Sequence, residues 1–355
     1  MSVSSVVAQV APVLVFLLAI TVVAEVAQLA GVFEALGVLA ARLGRGRVLL
    51  MWLWVVLVAC VATIVLSLDT TAVLLTPVVL AAALRLGIAP LPFAMTTVWL
   101  ANTASLLLPV SNLTNLLAVY HFDGGVRAYL ALSWRPALAA IAVTVVVLWS
   151  LHRRALRGTY VVPEHAPPPD RVLFGVAAVA CAVLGPAFAL GVPPWAAATV
   201  AAVVLVGALA ARQPRLLREV EVPWRMVLIL AVVFTLLQVA LRLGLEDVLR
   251  SVAGAGTAPS DLLRLAGVGA LAANGVNNLP AYFALEPTAT GEPVRLMALL
   301  IGVGVAPVVT LWASLATLLW RERCARAGVR IDARRFAGHG LILAVTATLA
   351  AVLVL

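Results

Sequence analysis

The chain contains no lysine: all 24 of its basic residues are arginine, and charged residues make up only 11% of its 355 positions. A nucleotide-binding P-loop needs a lysine to reach the phosphates, so the chain is not expected to hydrolyse ATP or to be an enzyme. Energy for any work would come from an ion gradient or a separate ATPase. Cysteine is also scarce: Cys60, Cys181 and Cys324 are far apart and unpatterned, which excludes a disulfide framework and a zinc site. The four histidines, His121, His152, His165 and His339, lack metal-ligand spacing, so no metal and no cofactor is expected. Aromatic residues are 6% of the chain and form no platform interleaved with basic residues. Nucleic acid is therefore not an expected partner, despite a net charge of +9.

Apolar sequence is what the chain has in abundance. It is 64% hydrophobic, with a mean hydropathy of +1.13. Continuous runs such as Ala137 to Leu148 and Met226 to Leu237 do not alternate as the strands of a membrane barrel do. The expected fold is an all-α polytopic protein of the cell membrane, with the lipid bilayer as its first partner. Met1-Ser2-Val3-Ser4-Ser5 has no basic residue ahead of the first apolar run, so it lacks the start of a cleaved signal peptide and the first helix is expected to be retained.

Polar residues interrupt this apolar sequence in two similar places. Ser67 to Thr71 and then Asn102 to Asn115 mark the first, Asn274 to Pro280 and then Pro307 to Thr317 the second. Polar groups with irregular backbone are tolerated at membrane depth only where they line a protein-enclosed cavity. A spanning helix is predicted at about 6 to 30, then an interfacial arm at 31 to 47. Next come a hairpin from Val48 to Arg85 with its tip at mid-membrane, a broken helix from Pro90 to Tyr120, and a return span from Pro136 to Leu151. The Pro-rich stretch 158–170 reads as a cytoplasmic linker. After it, helices are predicted at about 171 to 190, 194 to 211 and 223 to 243, followed by a second hairpin from Leu262 to Ala284, a second broken helix at about 293 to 320, and a last helix. Only Arg127, Arg135, Arg242, Arg250, Arg264 and Arg295 then face outward, which satisfies the positive-inside rule.

The two hairpins would enter from opposite sides, as inverted repeats require, with 1–157 as the first transport repeat and 171–355 as the second. The first half lacks counterparts of the helices at about 171 to 211. That points to a reduced variant or to an upstream helix pair.

Four segments carry a family resemblance: Asp69 to Pro77, Asn102 to Asn115, Val276 to Pro280 and Ser314 to Trp320. In these the chain resembles the arsenical pump membrane proteins, the arsenite permease branch of the ion transporter superfamily. That superfamily also holds sodium/proton antiporters and dicarboxylate and anion symporters. The resemblance implies export of arsenite or antimonite, driven by the proton motive force or by a separate ATPase subunit. It maps Asp69 onto the acidic hairpin tip, Asn277 and Asn278 onto the second tip, Ser111, Asn112 and Asn115 onto the first break, and Pro307, Thr310, Ser314 and Thr317 onto the second. The family usually carries Asn at the position of Leu68, an acid at Asn102, an acid or amide at Gly304 and often a basic residue at Val308.

The expected solute and ion site thus comprises Asp69, Thr70, Thr71, Asn102, Thr103, Ser105, Ser111, Asn112, Asn115, Asn274, Asn277, Asn278, Thr310, Ser314 and Thr317. Asp69 is the only acid among them. An acid at membrane depth is costly and by default functional, which suits it to bind and release a coupling proton; the alternative is a structural acid bonded to helix N-termini. Glu25 has no polar neighbours in sequence and is expected at an interface or against a partner helix. Amides and hydroxyls suit arsenite, an uncharged trihydroxide at neutral pH, and suit sodium equally well. Thr63, Thr144 and Thr199 read as packing or back-bonding residues, and Gly302 and Gly304 as a close helix contact. Trivalent arsenic is thiophilic, but the three cysteines fall on different segments, so a thiolate site is not expected. Asn112-Leu113-Thr114 lies at membrane depth and is not expected to be glycosylated.

Three readings stay open: an arsenite or antimonite exporter exchanging protons, a sodium/proton antiporter or other anion carrier of the same superfamily, and a non-transporting paralogue. The expected partners are a small inorganic solute and protons or sodium, with a homodimer and an ATPase subunit as further options.

Overall fold

The computed structural model describes residues 3–65, 67–162, 170–190, 192–220 and 239–355, together with 224, 228, 232, 235 and 236. The helix expected at about 223 to 243 and the linker residues 163–169 fall largely or wholly outside the described residues. Helices dominate, and among the described residues the one extended pairing is a bridge between Arg47 and Thr159. Five described helices are long and apolar enough to cross a bilayer, so the protein is an all-α polytopic membrane protein.

Helix α1 (Val3–Leu29) leads into α2 (Val32–Leu43) through Gly31, whose φ of 81° turns the chain. The two axes lie 70° apart, the bend expected of a span followed by an interfacial arm. Helices α3 (Val48–Val65) and α4 (Leu68–Arg85) form the first hairpin. Both of its open ends meet α2: Arg85 pairs with Glu34 at 3.1 Å, and a Cβ on Gly44, just past α2, would touch Met51 of α3. Within α4 a π-helical turn at Thr71–Leu75 precedes Pro77, whose missing N–H and bulky ring disturb a regular ladder.

The first broken helix comprises α5 (Leu91–Thr103) and α6 (Leu113–Ala118), separated by two short 3₁₀ turns and extended residues at Leu108 and Asn112. Helix α7 (Gly125–His152) follows, then α8 (Arg171–Ala189), α9 (Pro194–Arg212) and the short α10 (Glu246–Ala253). Helices α11 (Pro259–Val276) and α12 (Asn278–Leu285) make the second hairpin, with arms of unequal length. The second broken helix is α13 (Pro293–Gly304) and α14 (Leu315–Arg326), and α15 (Ala333–Leu353) closes the chain. The element order expected from the two polar interruptions is therefore present.

The depth of the first tip follows from its neighbours. Ser111 donates to the carbonyl of Ile64 at 2.7 Å, so the tip lies level with the break in the first broken helix. At 1.5 Å per residue that is about 20 Å along α5 from Leu91. The first residues of the expected linker dock rather than swing free. Val48 donates to the Gly158 carbonyl at 3.0 Å, and the Tyr160 hydroxyl donates to the Ala41 carbonyl at 2.5 Å.

Apolar side chains pack into two clusters. The larger joins both hairpins, both broken helices, α7 and α15, around Trp52, Trp99, Trp320 and Tyr282. The smaller joins α1, the start of α2, α8 and α9, and takes in Val73 and Val78 of α4 and Leu319 of α14 at the seam. Lipid supplies no hydrophobic drive between helices, so close backbone approach matters. A Cβ on Gly302 would stand 2.3 Å from the Ala266 carbonyl oxygen, and one on Gly340 2.0 Å from that of Val308. Gly302 is the expected close helix contact, and Gly340 seats α15 against the second break.

Candidate functional site at the meeting of four chain breaks

Each break ends in a side chain that caps the helix after it. Ser67 Oγ accepts from the Thr70 amide at 3.1 Å and Asn112 Oδ1 from the Thr114 amide at 3.2 Å. Asn277 Oδ1 accepts from the Leu279 amide at 3.4 Å and Ser314 Oγ from the Thr317 amide at 3.1 Å. A cap satisfies one of the orphan amides of a helix start, and the other amides leave a partial positive charge there. Residues from all four starts line one cavity of about 150 Å³: Ser67 and Asp69, Asn112 and Leu113, Asn277 and Asn278, and Leu315. Pro12 and Phe16 of α1 and Pro194 and Trp195 of α9 close it from the smaller cluster. The volume is roughly ten times the minimum that holds one water.

Asp69 is the one ionisable residue lining this cavity among the described residues, and its Oδ1 is buried without a hydrogen-bond partner. It does not cap a helix. The neighbouring hydroxyls are occupied: Ser67 Oγ donates to Thr70 Oγ1 at 2.8 Å, and Thr63 Oγ1 to Thr71 Oγ1 at 3.0 Å. Thr63 therefore clips the two hairpin arms together rather than bonding back along its own helix. Thr144 and Thr199 do bond back, to Ala140 and Trp195.

The first break is a polar knot. Ser105 donates to the Asn102 carbonyl at 2.8 Å and accepts from Asn112 Nδ2 at 3.3 Å, while its own carbonyl accepts from Asn115 Nδ2 at 2.7 Å. Asn102 Nδ2 bonds to Val98 and Thr103 Oγ1 to Trp99, both one turn back. The Oδ1 atoms of Asn102 and Asn115 are buried and unpartnered. The Asn112 amide lies 3.8 Å from a Cβ built on Gly304, so the first break touches the end of α13.

The second break is braced by Asn274. Its Nδ2 donates to the carbonyls of Ala270 and Ala306, each at 2.8 Å, and its Oδ1 accepts from the amides of Val309 and Thr310 at 3.0 and 3.2 Å. Thr310 Oγ1 donates to the Asn274 carbonyl at 2.8 Å. Asn277, at φ 114°, donates to the Trp312 carbonyl at 2.8 Å, and the Asn278 amide to that of Ala313 at 2.8 Å. Ser314 Oγ and Thr317 Oγ1 lie 2.9 Å apart. Of the fifteen expected site residues, Asp69, Asn112, Asn277 and Asn278 line the cavity. The other eleven are not among its lining residues, and each is engaged by one of the bonds above.

Two charged groups have partners that the sequence did not show. Arg295, expected to face outward, is 2% exposed and donates to the carbonyls of Gly254 and Gly256 at 2.5 Å and of Thr288 at 3.1 Å. It ties both open ends of the second hairpin to α13. Glu25 faces a partner helix as expected, and that helix carries its counter-charges: the carboxylate is paired with Arg323 and, at 2.5 Å, with Arg326. On the face of the second hairpin's open ends, His121 Nε2 meets Glu286 Oε1 at 2.7 Å.

The profile of the citrate transporter family matches residues 3–317. The arsenical pump membrane protein of Yersinia enterocolitica is 30% identical over 355 residues, which cover 92% of this chain and 81% of that protein. Its counterpart in Escherichia coli (strain K12) is 29% identical over 358 residues, with the same coverage. With the fold of a multi-pass transporter of the cell membrane, the chain belongs to the citrate transporter family, on its arsenical pump membrane protein branch.

Proposed function

We propose that this chain exports arsenite and antimonite across the cell membrane in exchange for protons, binding the solute between its two hairpin tips and two helix breaks. The observation that supports this most is the cavity to which all four helix starts contribute, with Asp69 as its one acid among the described residues. A neutral trihydroxide both donates and accepts hydrogen bonds. Asn277 and Asn278 supply amide groups, Asp69 an unused acceptor oxygen, and the helix starts favour electron-rich oxygen. Buried charge without a partner is costly, so solute and proton compete for Asp69: a proton neutralises it when the solute leaves, and the solute's hydroxyls bond to it when the proton leaves.

The repeats, 1–157 and 171–355, are read as inverted. The open ends of the first hairpin lie beside α2 and Gly158, those of the second beside Arg295 and His121, and α7 runs from the His121 side to the Gly158 side. Inverted halves exchange conformations, and alternating access follows. The side of α2, where Arg42, Arg45, Arg153, Arg154 and Arg157 gather, is cytoplasmic by the positive-inside rule. A second reading, sodium/proton antiport, is favoured by the unpartnered buried oxygens Asp69 Oδ1, Asn102 Oδ1 and Asn115 Oδ1, which suit a hard cation. Everted vesicles separate the two. Arsenite accumulation under an imposed proton gradient, unaffected by sodium, is expected of the exporter, whereas sodium-driven proton movement with no arsenite uptake would select the antiporter.

A further inference from the structure

Two of the elements that line the cavity continue from it toward the arginine-rich side. Phe16 and Glu25 lie on α1, and Leu315 and Arg323 on α14. At 1.5 Å per residue Glu25 is about 13 Å below Phe16, and Arg323 about 12 Å below Leu315. Both elements therefore descend from the cavity to the same depth, and there the Glu25 carboxylate is held between Arg323 and Arg326. The side chains of Glu25 and Arg323 are 8% and 1% exposed, so the pair is buried where the two elements meet. Arg326 also reaches Glu322 at 3.0 Å, which balances two acids against two arginines.

The cluster spans the seam between the two packing units. Glu25 rides on the smaller cluster with α8 and α9, and the arginines on the half-helix of the larger cluster whose start faces the cavity. It is also incompletely satisfied, because Arg323 Nε and Nη2 are buried with no partner. A permanent structural pair gains from full satisfaction, whereas one that must separate is easier to open when partly satisfied.

From this geometry we infer that Glu25, Arg323 and Arg326 form the inner gate of the carrier, a charge cluster that closes the path from the cavity to the arginine-rich face and separates when the cavity opens there. The inference rests on the alternating-access reading above, and its test involves no transported solute. Removing the Glu25 charge leaves Arg323 and Arg326 on α14 with no counter-charge across the seam, so the attraction that holds it shut is lost.

The test uses the full chain with Cys60, Cys181 and Cys324 replaced by alanine, in vesicles of both orientations. Leu318→Cys, on α14 between Leu315 and Arg323, reports access from the arginine-rich face. Trp195→Cys, 44% exposed at the cavity rim, reports access from the other. With the gate intact, a membrane-impermeant maleimide should label Leu318→Cys slowly from the arginine-rich face. Adding Glu25→Gln should speed that labelling about tenfold or more and slow Trp195→Cys labelling from the opposite face, each decade corresponding to 1.4 kcal/mol of lost closing energy. Arg326→Gln, which keeps the Glu25–Arg323 pair, should give a smaller rise of the same sign. Equal labelling in a monodisperse Glu25→Gln protein would overturn the gate; if that variant does not fold, equal labelling in Arg326→Gln would do so. A chain that moves no arsenite can still pass this test, so failure of the gate and failure of the proposed substrate are separable.

Discussion

Arg295 offers the sharpest energetic test of the architecture. Its guanidinium holds three carbonyls, two before the second hairpin and one after it, and the side chain is almost fully buried. A fully buried hydrogen bond to a charged group contributes about 1.5–3 kcal/mol; because this backbone is partly open to water, the value of an ordinary bond, about 1 kcal/mol each, applies. Arg295→Met preserves the packing of the stem and removes all three, a loss of about 3 kcal/mol. If the clamp closes the hairpin, that loss appears as local opening, roughly a hundredfold in the exchange-competent population. Amide hydrogen exchange in detergent should then accelerate across 278–285 while residues 68–85 of the first hairpin keep their protection. Arg295→Lys should recover only part of the effect, since an ammonium cannot reproduce a planar fork. Unchanged exchange in Arg295→Met, or full protection in Arg295→Lys, would refute the reasoning.

Three further outcomes follow from local geometry. Gly302→Ala places a methyl 2.3 Å from the Ala266 carbonyl oxygen, so it should cost about 1–3 kcal/mol, seen as a lower melting temperature in detergent, whereas Gly267→Ala, with open space around it, should cost far less. At Asn277, the φ of 114° and two side-chain bonds oppose each other on substitution: Gly relieves strain while losing the bonds, and Ala loses both. Ala should therefore be less stable than Gly by about 1–3 kcal/mol in thermal unfolding. The Asp170 carboxyl is held below its usual range by the Leu173 amide and the Arg212 guanidinium. Its folded-state pKa is depressed, so its stabilisation is complete above the unfolded-state pKa and lost as pH falls through the folded one. Asp170→Ala should therefore unfold more readily than the parent at pH 7, with the difference vanishing in strong acid.

Much of this site was legible in the sequence because the bilayer makes polar interruptions conspicuous. Pro109, Pro280 and Pro307 mark where helices cannot continue, and the amides and hydroxyls beside them mark where freed backbone is satisfied. Which polar side chains face the cavity was not legible. Asn274 and Asn277 stand three residues apart in one polar cluster and both bond to the second break, yet of the two Asn277 also lines the cavity. That difference depends on Ala306 and Val309, more than 30 residues away. The pairing of Glu25 with Arg323 was hidden for the same reason, since nearly 300 positions separate them: Glu25 reads as a charge at an interface or against a partner helix, and Arg323 as one of the inner arginines. One local signal was available: Ser67-Leu68-Asp69-Thr70 and Ser314-Leu315-Ala316-Thr317 share a Ser-x-x-Thr pattern, and both serines cap the helix that starts there.

In the proposed mechanism one carboxyl, Asp69, couples solute to protons. Proteoliposomes loaded with a pH-sensitive dye test it directly, by recording proton movement when arsenite is added to one side of the wild-type protein and of Asp69→Asn. An arsenite-evoked proton flux is expected in the wild type and none in Asp69→Asn, with the variant still folded and monodisperse. An equal proton flux in Asp69→Asn, or none in a wild type that accumulates arsenite, would contradict it.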